Sequence, residues 1–293
     1  MTQTKNKKVI AIVGATASGK TAYSVELAKR LDGEIISADS RLVYNGFDIG
    51  TAKPNIDERQ GIKHHMIDVV EPCENYTSAL YVNQAKLCID EIISNNKTPI
   101  IVGGTGLYFR LLLENYQMPE AAPNYDLRNQ LELKTSEELY LELTKLDEKS
   151  ALTIEKNDKK KLIRALEIVK TLSKPMNEVR GISEKPDYEI DWIGLNFNRE
   201  ELYERINLRV EQMIEMGLIK EVQDLLFKYG RVDNLVNTIG YKEMLSYIDG
   251  KTSLEDAKDL LKQNTRNYAK RQLTWFRKNQ NIKWNIYPDK LKK

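Results

Sequence analysis

Apolar residues occur along this chain in short continuous runs that alternate with helically spaced positions. Continuous runs lie at residues 9–13 and 99–102, and a shorter apolar pair, Ile35 and Ile36, lies in the stretch 33–38. Such runs are typical of strands buried on both faces of a parallel sheet. Helical spacing follows in residues 22–30 and 76–93, and Thr77 and Ser78 provide N-terminal caps for the second of these helices. The alternation of strands and helices predicts an α/β fold, in which helices flank a parallel sheet.

The pattern becomes helical between residues 116 and 186. Helical spacing runs through 127–133, through 139–146 after a capping box formed by Thr135 and Glu138, and through 162–169 after the caps Asn157 and Asp158. We therefore expect an all-helical insertion over 116–186. The core of the fold would then comprise residues 1–115 and 187–293.

The core resumes after the insertion with one strand and a series of helices. Residues 188–197 predict a strand that returns to the main sheet, and residues 201–228 predict one long helix. In the last helix, a seven-residue repeat marks the side expected to pack, at Leu261, Tyr268 and Trp275. Another side of this helix is basic, with Lys262, Arg266, Lys270 and Arg277.

The composition argues against a membrane protein, a secreted protein and a protein held together by zinc or disulfides. The 293 residues contain no apolar run of membrane-spanning length and no apolar stretch after Met1 that would act as a secretory signal. We expect a cytoplasmic globular protein that does not bind a membrane, with a monomer as the default state. Cys73 and Cys88 lie far apart and lack histidine at metal-ligand spacing, which argues against a zinc site or a disulfide framework.

Charge is distributed unevenly along the chain. The overall net charge is +2, but residues 251–293 hold twelve Lys or Arg against four Asp or Glu. A basic C-terminal segment of this kind suits a bound polyanion, and a solvated tail is the alternative.

A phosphate-binding loop stands between the first strand and the first helix. It has the G-x-x-x-x-G-K-T pattern, with Gly14, Ala15, Thr16, Ala17, Ser18, Gly19, Lys20 and Thr21. Successive backbone N–H groups in such a loop surround a phosphate at the positive end of a helix dipole. Lys20 would reach a terminal phosphoryl group, and the Thr21 hydroxyl would bind Mg²⁺.

Two further candidates follow the second and third strands. Asp39 follows residues 33–38, and the ends of parallel strands meet at one sheet edge, so Asp39 should face the phosphate-binding loop. It would bind metal through water or accept a proton, or else serve only as a turn or cap residue. Gly103, Gly104 and Thr105 stand where many P-loop ATPases have a metal-binding Asp. We interpret them as a glycine-lined wall for a flat or bulky substrate group, or as a strand-to-helix turn.

Basic side chains also recur at helical spacing. Arg205 and Arg209 are four residues apart and would neutralise a diphosphate together, unless they pair with acids such as Glu201. Lys159, Lys160, Lys161 and Arg164 make the start of the last insertion helix basic, which suits either nucleic-acid phosphates or a solvated face.

Together these motifs resemble those of the tRNA dimethylallyltransferases, also called tRNA isopentenyltransferases. The likeness runs nearly end to end and is carried by the stretches 14–21, 37–44, 48–54, 64–68, 103–108, 164–167, 239–241 and 270–277. It implies transfer of a dimethylallyl group from dimethylallyl diphosphate to the exocyclic amine of the adenosine just 3′ of a tRNA anticodon, with Mg²⁺ as cofactor. The phosphate-binding loop would then hold dimethylallyl diphosphate or a nucleotide. The insertion over 116–186 and the basic C-terminal helix would hold the tRNA anticodon stem-loop.

The resemblance also implies roles for single residues. Asp39 would be the general base and Thr105 would hydrogen-bond beside it. Lys20, Thr21 with Mg²⁺, and Arg205 or Arg209 would stabilise the departing diphosphate. Contacts with the tRNA would come from Asp39, Ser40, Arg41, Leu42, Thr105, Arg128, Asp158, Lys159, Lys160, Lys161, Arg164, Lys270 and Arg277.

This chain departs from the family pattern at four of these positions. Family members often have Pro in place of Ala15, Gln in place of Leu42, and Arg in place of Lys160 and Lys161. Leu42 cannot make the hydrogen bonds of a glutamine, and lysine lacks the bidentate geometry of arginine.

Three other functions remain open from the residues alone. An adenylate isopentenyltransferase would modify free nucleotide, which the basic C-terminal segment argues against. A small-molecule P-loop kinase would use Lys20 for ATP and Asp39 for an acceptor hydroxyl. A tRNA-binding module would bind RNA without forming a product.

Overall fold

The computed structural model describes residues 7–117, 119, 121–179, 181–182 and 188–286. The chain forms two compact units, one comprising Met1–Leu112 with Asp187–Lys293 and the other Leu113–Pro186. The second unit begins at Leu113 rather than at the expected 116, and its far boundary lies outside the described residues. The end of the basic segment, 287–293, also lies outside them.

The main unit begins with alternating strands and helices. In chain order they are β1 (Lys7–Gly14), α1 (Lys20–Leu31), β2 (Gly33–Ala38), α2 (Ile56–Arg59), β3 (His64–His65), α3 (Ser78–Ser94), β4 (Thr98–Gly103) and α4 (Gly106–Leu113). The second unit follows with β5 (Tyr116–Gln117), α5 (Tyr125–Glu132), α6 (Ser136–Leu146), α7 (Glu148–Ala151), α8 (Lys159–Leu172), α9 (Met176–Val179) and β6 (Gly181–Ile182). The main unit resumes with β7 (Tyr188–Asn196), α10 (Arg199–Glu215), α11 (Leu218–Tyr229), α12 (Asp233–Val236), α13 (Tyr241–Ile248), α14 (Leu254–Phe276) and β8 (Lys283–Ile286).

A six-stranded parallel sheet forms the centre of the main unit, with the strand order β3-β2-β4-β1-β7-β8. The predicted α/β fold with a parallel sheet is therefore confirmed. Val13 of β1 and Ala38 of β2 both pair with Gly103 of β4, so these three strands end side by side. The phosphate-binding loop follows β1, Asp39 follows β2, and Thr105 comes shortly after β4. These candidate residues therefore lie at the same edge of the sheet.

The second half of the main unit differs from expectation in two ways. The single helix expected over 201–228 is two helices, because Gly217 has a φ of +100° that ends α10 and redirects the chain into α11. Strand β8 was not predicted, although polar Lys283 and Asn285 alternate with apolar Trp284 and Ile286 as they do in a half-buried strand. In the first half of the main unit, β3 contains only His64 and His65, because the chain turns at Met66 and Asp68, which adopt positive φ.

The side of α14 that is buried also differs from the side that the seven-residue repeat predicted. Leu261 is buried, but Trp275 is 41% exposed, and the buried positions are Ala257, Leu261, Ala269, Gln272 and Phe276. A straight helix turns away from a seven-residue repeat by about 20° per repeat, so the buried side follows a 3.6-residue spacing instead. This rotation brings Gln272 inside.

The second unit has its own apolar core. Leu131, Leu139, Leu143, Leu162 and Leu166 are fully or almost fully buried in it. Thr135 and Glu138 form the predicted capping box, and Asp158 caps α8 by accepting from the Lys161 N–H. The unit is not entirely helical, because Tyr116 and Gln117 pair antiparallel with Ile182 and Gly181.

A buried carboxylate joins two helices of the second unit. Glu167, which is fully buried, accepts hydrogen bonds from Arg128 Nε at 2.8 Å, Arg128 Nη2 at 2.9 Å and the Asn124 N–H at 2.7 Å, and it also pairs with Arg164. Burial by itself would raise the pKa of Glu167, but its bonds to Arg128, Arg164 and Asn124 hold the pKa below its ordinary value.

None of the helices in the described part of the chain combines the length and apolarity that a membrane span requires.

Replacing Glu167 with Ala should destabilise the second unit by about 3 kcal/mol, because two arginines then face a site without a counter-charge. The amides of α8 should exchange with deuterium correspondingly faster. Glu137→Ala, on the exposed start of α6, is the matched control and should change the stability by about 0.5 kcal/mol or less. Equal exchange in the two variants would show that Glu167 is not a structural anchor.

Candidate active site

The phosphate-binding loop connects β1 to α1 as predicted. Gly14 has no room for a side chain, since a Cβ there would lie 2.6 Å from the Leu195 carbonyl oxygen. Gly19 adopts a left-handed φ of +73° and caps α1, which favours glycine at that position. Lys20 begins the helix and folds back, and its Nζ donates to the Ala15 carbonyl oxygen at 2.5 Å. The loop is therefore closed on itself around the site of the expected phosphate.

The loop has an apolar side and a polar side. Ala15 and Ala17 are buried against Phe197, Leu202 and Ile206, which fixes the loop to the strand end and to α10. Ser18 is buried too, and its hydroxyl has no hydrogen-bond partner among the described residues. Buried hydroxyl groups are normally satisfied, so Ser18 stands out as a polar group available within the loop.

Two arginines of α10 reach the same loop. Arg205 Nε donates to the Ala17 carbonyl oxygen at 3.0 Å, and its guanidinium lies 4.6 Å from the centre of the Phe197 ring. Arg209, one turn further along, has its pKa lowered by burial and by the charge of Arg205. Arg205 thus contacts the loop backbone, in contrast to the alternative of pairing with Glu201. Two guanidinium groups held this close together suit a ligand with several negative charges.

The environment of Lys20 shifts its pKa strongly. Burial lowers its pKa to about 7, the charge of Asp39 opposes this shift, and Arg209 adds to it. The side chains of Lys20, Asp39 and Arg209 therefore act on one another across the sheet edge. A lysine with a pKa near neutrality is half charged before any anion binds.

Asp39 and Thr105 meet beside this cationic cluster. One carboxylate oxygen of Asp39 accepts from the Arg41 N–H at 2.8 Å, which is the turn interaction considered as an alternative. Thr105 Oγ1 accepts from the Ser40 N–H at 3.0 Å, and the Thr105 N–H donates to Ala38 at 3.1 Å. The turn after β2 and the turn after β4 are thereby bonded together. The bond to Arg41 uses one Asp39 oxygen, and the second oxygen can serve as a base.

The glycines after β4 serve a different purpose from the one expected. A Cβ on Gly103 would lie 2.1 Å from the Ala38 oxygen, one on Gly104 would lie 1.9 Å from Gln272 Nε2, and one on Gly106 would lie 2.1 Å from Trp275 Cδ1. Strand β2 and helix α14 fill the space, so these glycines admit close packing of the chain with itself. The expectation of a glycine-lined wall for a substrate group is therefore wrong at these positions.

Gln272 is a site residue that sequence reasoning missed. Its Oε1 accepts from the Thr16 N–H of the phosphate-binding loop at 2.8 Å, and its Nε2 donates to the Gly104 carbonyl oxygen at 3.0 Å. The sequence did contain a signal for this role. Gln272 lies on the packing side of an amphipathic helix, where an uncharged polar side chain needs hydrogen-bond partners. The sequence prediction considered only the repeat positions Leu261, Tyr268 and Trp275, although Gln272 follows Tyr268 by four residues and therefore shares their side of the helix.

The tRNA-binding candidates fall into two groups. Ser40, Arg41, Leu42, Lys270 and Arg277 belong to the main unit, and the last two are exposed on or just after α14. In the second unit, Arg128 and Arg164 bind Glu167, Lys161 pairs with Asp158 at 2.5 Å, and Lys159 Nζ donates to the Glu132 oxygen at 2.5 Å. Lys160 is exposed. Arg128 and Arg164 thus have a structural partner that the sequence did not reveal.

The described residues contain no group of three or more His, Cys, Asp or Glu side chains that could enclose a metal ion. Cys73 and Cys88 are free thiols. His65 bonds Glu34 at 2.7 Å, which gives that histidine a structural role.

The family model and the known proteins that this chain resembles are named IPP transferase or tRNA dimethylallyltransferase. A family model described as IPP transferase matches residues 42–279. The tRNA dimethylallyltransferase of Alkaliphilus oremlandii is 45% identical over 285 residues, covering 95% of this chain and 91% of that protein. The tRNA dimethylallyltransferase of Anoxybacillus flavithermus is 45% identical over 279 residues, covering 95% of this chain and 90% of that protein.

Solved structures give the same result. The tRNA isopentenylpyrophosphate transferase of Bacillus halodurans superposes with a TM-score of 0.72 at 44% identity, covering 96% of this chain and 90% of that one. A eukaryotic dimethylallyltransferase acting on tRNA superposes with a TM-score of 0.83 at 31% identity, covering 98% of this chain and 75% of that one.

The Lys20 pKa leads to a test with inorganic pyrophosphate. The charged lysine binds the anion, so its contribution to affinity should be complete below about pH 7 and should decline as the pH rises above that value. The Kd of Lys20→Met divided by that of the wild type should therefore fall from about pH 6 to about pH 9. The protonation of pyrophosphate itself cancels in this ratio. For Lys29→Met, an exposed position on α1, the ratio should stay near one, and a flat ratio for Lys20→Met would contradict the lowered pKa.

Proposed function

This chain belongs to the IPP transferase family, and we propose that it transfers a dimethylallyl group from dimethylallyl diphosphate to the exocyclic amine of the adenosine 3′-adjacent to the anticodon in tRNA. Diphosphate is the second product. The observation that carries the proposal is the meeting of Lys20, Arg205 and Arg209 with Asp39 and Thr105 at one sheet edge. Relatives named for this activity are 45% identical across 95% of the chain.

The donor side of the reaction requires stabilisation of a leaving group. The bond between the dimethylallyl C1 and the diphosphate oxygen breaks, and its electron pair stays on oxygen, where negative charge develops. Lys20, Arg205 and Arg209 converge on the phosphate-binding loop and would oppose that charge. Because they are preorganised and partly buried, their effect is larger than that of similar groups in water.

The acceptor side requires removal of a proton from the amine that attacks C1. We assign this role to Asp39, whose bond from the Arg41 N–H orients the carboxylate and leaves one oxygen for the proton. Thr105 Oγ1 accepts from the Ser40 N–H, and the Thr105 side chain also hydrogen-bonds with Tyr268, so we assign Thr105 to holding the acceptor side in place beside Asp39. The adenine has to leave its stack in the RNA to reach this position.

The residues present suit Mg²⁺ as cofactor. The described residues offer no closed set of carboxylates, and Mg²⁺ commonly keeps several waters and binds substrate phosphates with few protein ligands. We propose Thr21, the second residue of α1, as the protein ligand. When bound, the ion would supply positive charge to the diphosphate oxygens.

Binding of the anticodon stem-loop is proposed for basic residues of both units. Arg128 and Arg164 bind Glu167, so we infer that they shape the second unit, while Lys160, Lys270 and Arg277, which are exposed, contact RNA phosphates. Affinity for RNA should then fall with rising salt. Action in the cytoplasm as a monomer remains the prediction from the sequence.

A prenyl-transfer assay tests the proposal. Labelled dimethylallyl diphosphate, Mg²⁺ and an unmodified anticodon stem-loop should give labelled RNA. Asp39→Asn should reduce the rate by about 1000-fold, because the variant lacks a general base. The matched control Asp224→Asn, on the exposed side of α11, should retain the wild-type rate.

Other outcomes identify other functions. Label on free AMP alone would indicate an adenylate isopentenyltransferase. Formation of ADP with a small acceptor would indicate a kinase. Binding of RNA without any product would indicate a tRNA-binding module.

A further inference from the structure

Gln272 is a polar residue on the buried side of the longest helix. It is 5% exposed, and both ends of its side-chain amide have partners in the chain. The Thr16 N–H donates to Oε1 at 2.8 Å, and Nε2 donates to the Gly104 oxygen at 3.0 Å. An unpartnered amide would be costly at this depth, so the two bonds account for its burial.

The orientation of this amide is determined by its partners. A backbone N–H can only donate and a carbonyl oxygen can only accept, so Oε1 must face Thr16 and Nε2 must face Gly104. A side chain with two acceptors or with none cannot replace it. The site therefore distinguishes glutamine from residues of the same size.

The two bonds join the two halves of the proposed active site. Thr16 lies between Ala15, which accepts from Lys20, and Ala17, which accepts from Arg205. Gly104 precedes Thr105, which accepts from the Ser40 N–H next to Asp39. A continuous path of covalent and hydrogen bonds thus leads from the diphosphate side to the acceptor side through one amide.

Helix α14 is itself held firmly against the rest of the site. Arg266 Nη1 donates to Asn207 Oδ1 at 2.7 Å, and Asn207 lies on α10 between Arg205 and Arg209. Trp275 occupies the space in front of Gly106. Helix α14 therefore holds the backbone of Gln272 in place, so that its side chain can bond to both turns.

We propose that Gln272 is a positioning residue, which sets the distance between the phosphate-binding loop and the Asp39–Thr105 pair. The inference rests on the proposed transfer reaction, in which C1 of the donor must lie within reach of the amine. Loss of the amide bonds should leave each substrate able to bind but should misalign the two reacting atoms.

The experiment compares Gln272→Met and Gln272→Glu with the wild type. Methionine keeps the approximate size but makes neither bond, and glutamate can accept from Thr16 but sets an acceptor against Gly104. Titration with inorganic pyrophosphate counts the intact binding sites, and single-turnover prenyl transfer to the anticodon stem-loop gives the rate per site. We expect the number of sites to be unchanged and the rate per site to fall by roughly 100-fold in both variants.

Gln263→Glu is the matched control, because it makes the same chemical change at an exposed position of α14. It should retain the wild-type rate. A merely structural role for Gln272 predicts a different result, in which the variants lose binding sites while each remaining site reacts at the wild-type rate. That result, or an unchanged rate per site, would overturn the proposal.

A second measurement tests whether Gln272 acts through Thr105. In a Thr105→Val background, Gln272→Met should have a much smaller effect on the rate per site, since the bond from the Ser40 N–H to Thr105 that completes the route to Asp39 is already gone. Fully additive effects would overturn the inferred route. A wild-type protein without transfer activity would overturn the proposed function and, with it, the role assigned to Gln272.

Discussion

The parallel pairing of β2, β4 and β1 is the constraint from which the site follows. Gly103 pairs with both Ala38 and Val13, so the three strands end level with one another. The phosphate-binding loop, Asp39 and Thr105 come directly after these ends and are separated by the width of a strand. A close approach of the backbones at Gly103 makes this arrangement possible, since any side chain there would collide with Ala38. Residues far apart in the chain thereby become neighbours without a long loop.

The electrostatics of the site are set by a cluster of cations at one sheet edge. Lys20 bonds to a backbone carbonyl, Arg205 bonds to another, and the half-buried Arg209 interacts electrostatically with both. Burial and the repulsion between these cations lower the pKa of Lys20 and of Arg209. In the proposed reaction a bound diphosphate would relieve this repulsion, which would contribute to the free energy of binding.

Sequence patterns were sufficient where a local rule decides the structure. The strand–loop–helix at residues 7–31, the Thr77 cap and the Thr135–Glu138 capping box all follow from residue types at short spacing. They were insufficient where distant segments decide. The purpose of Gly104 depends on Gln272, more than a hundred residues later, and the roles of Arg128 and Arg164 depend on a carboxylate buried between helices. The break at Gly217 was missed because a glycine within a helical pattern leaves the pattern itself unchanged.

The dependence of the loops near the N-terminus on α14 has a consequence for how the protein is made. Lys20, Asp39 and Thr105 leave the ribosome early, but the amide that joins their loops belongs to residue 272, and the strand that pairs with β1 on its other side begins at Tyr188. Chains are synthesised from the N-terminus, so the first hundred residues can collapse before these partners exist. The nascent chain therefore has the candidate catalytic side chains but not their alignment. The proposed transfer activity would then arise only when synthesis is nearly complete.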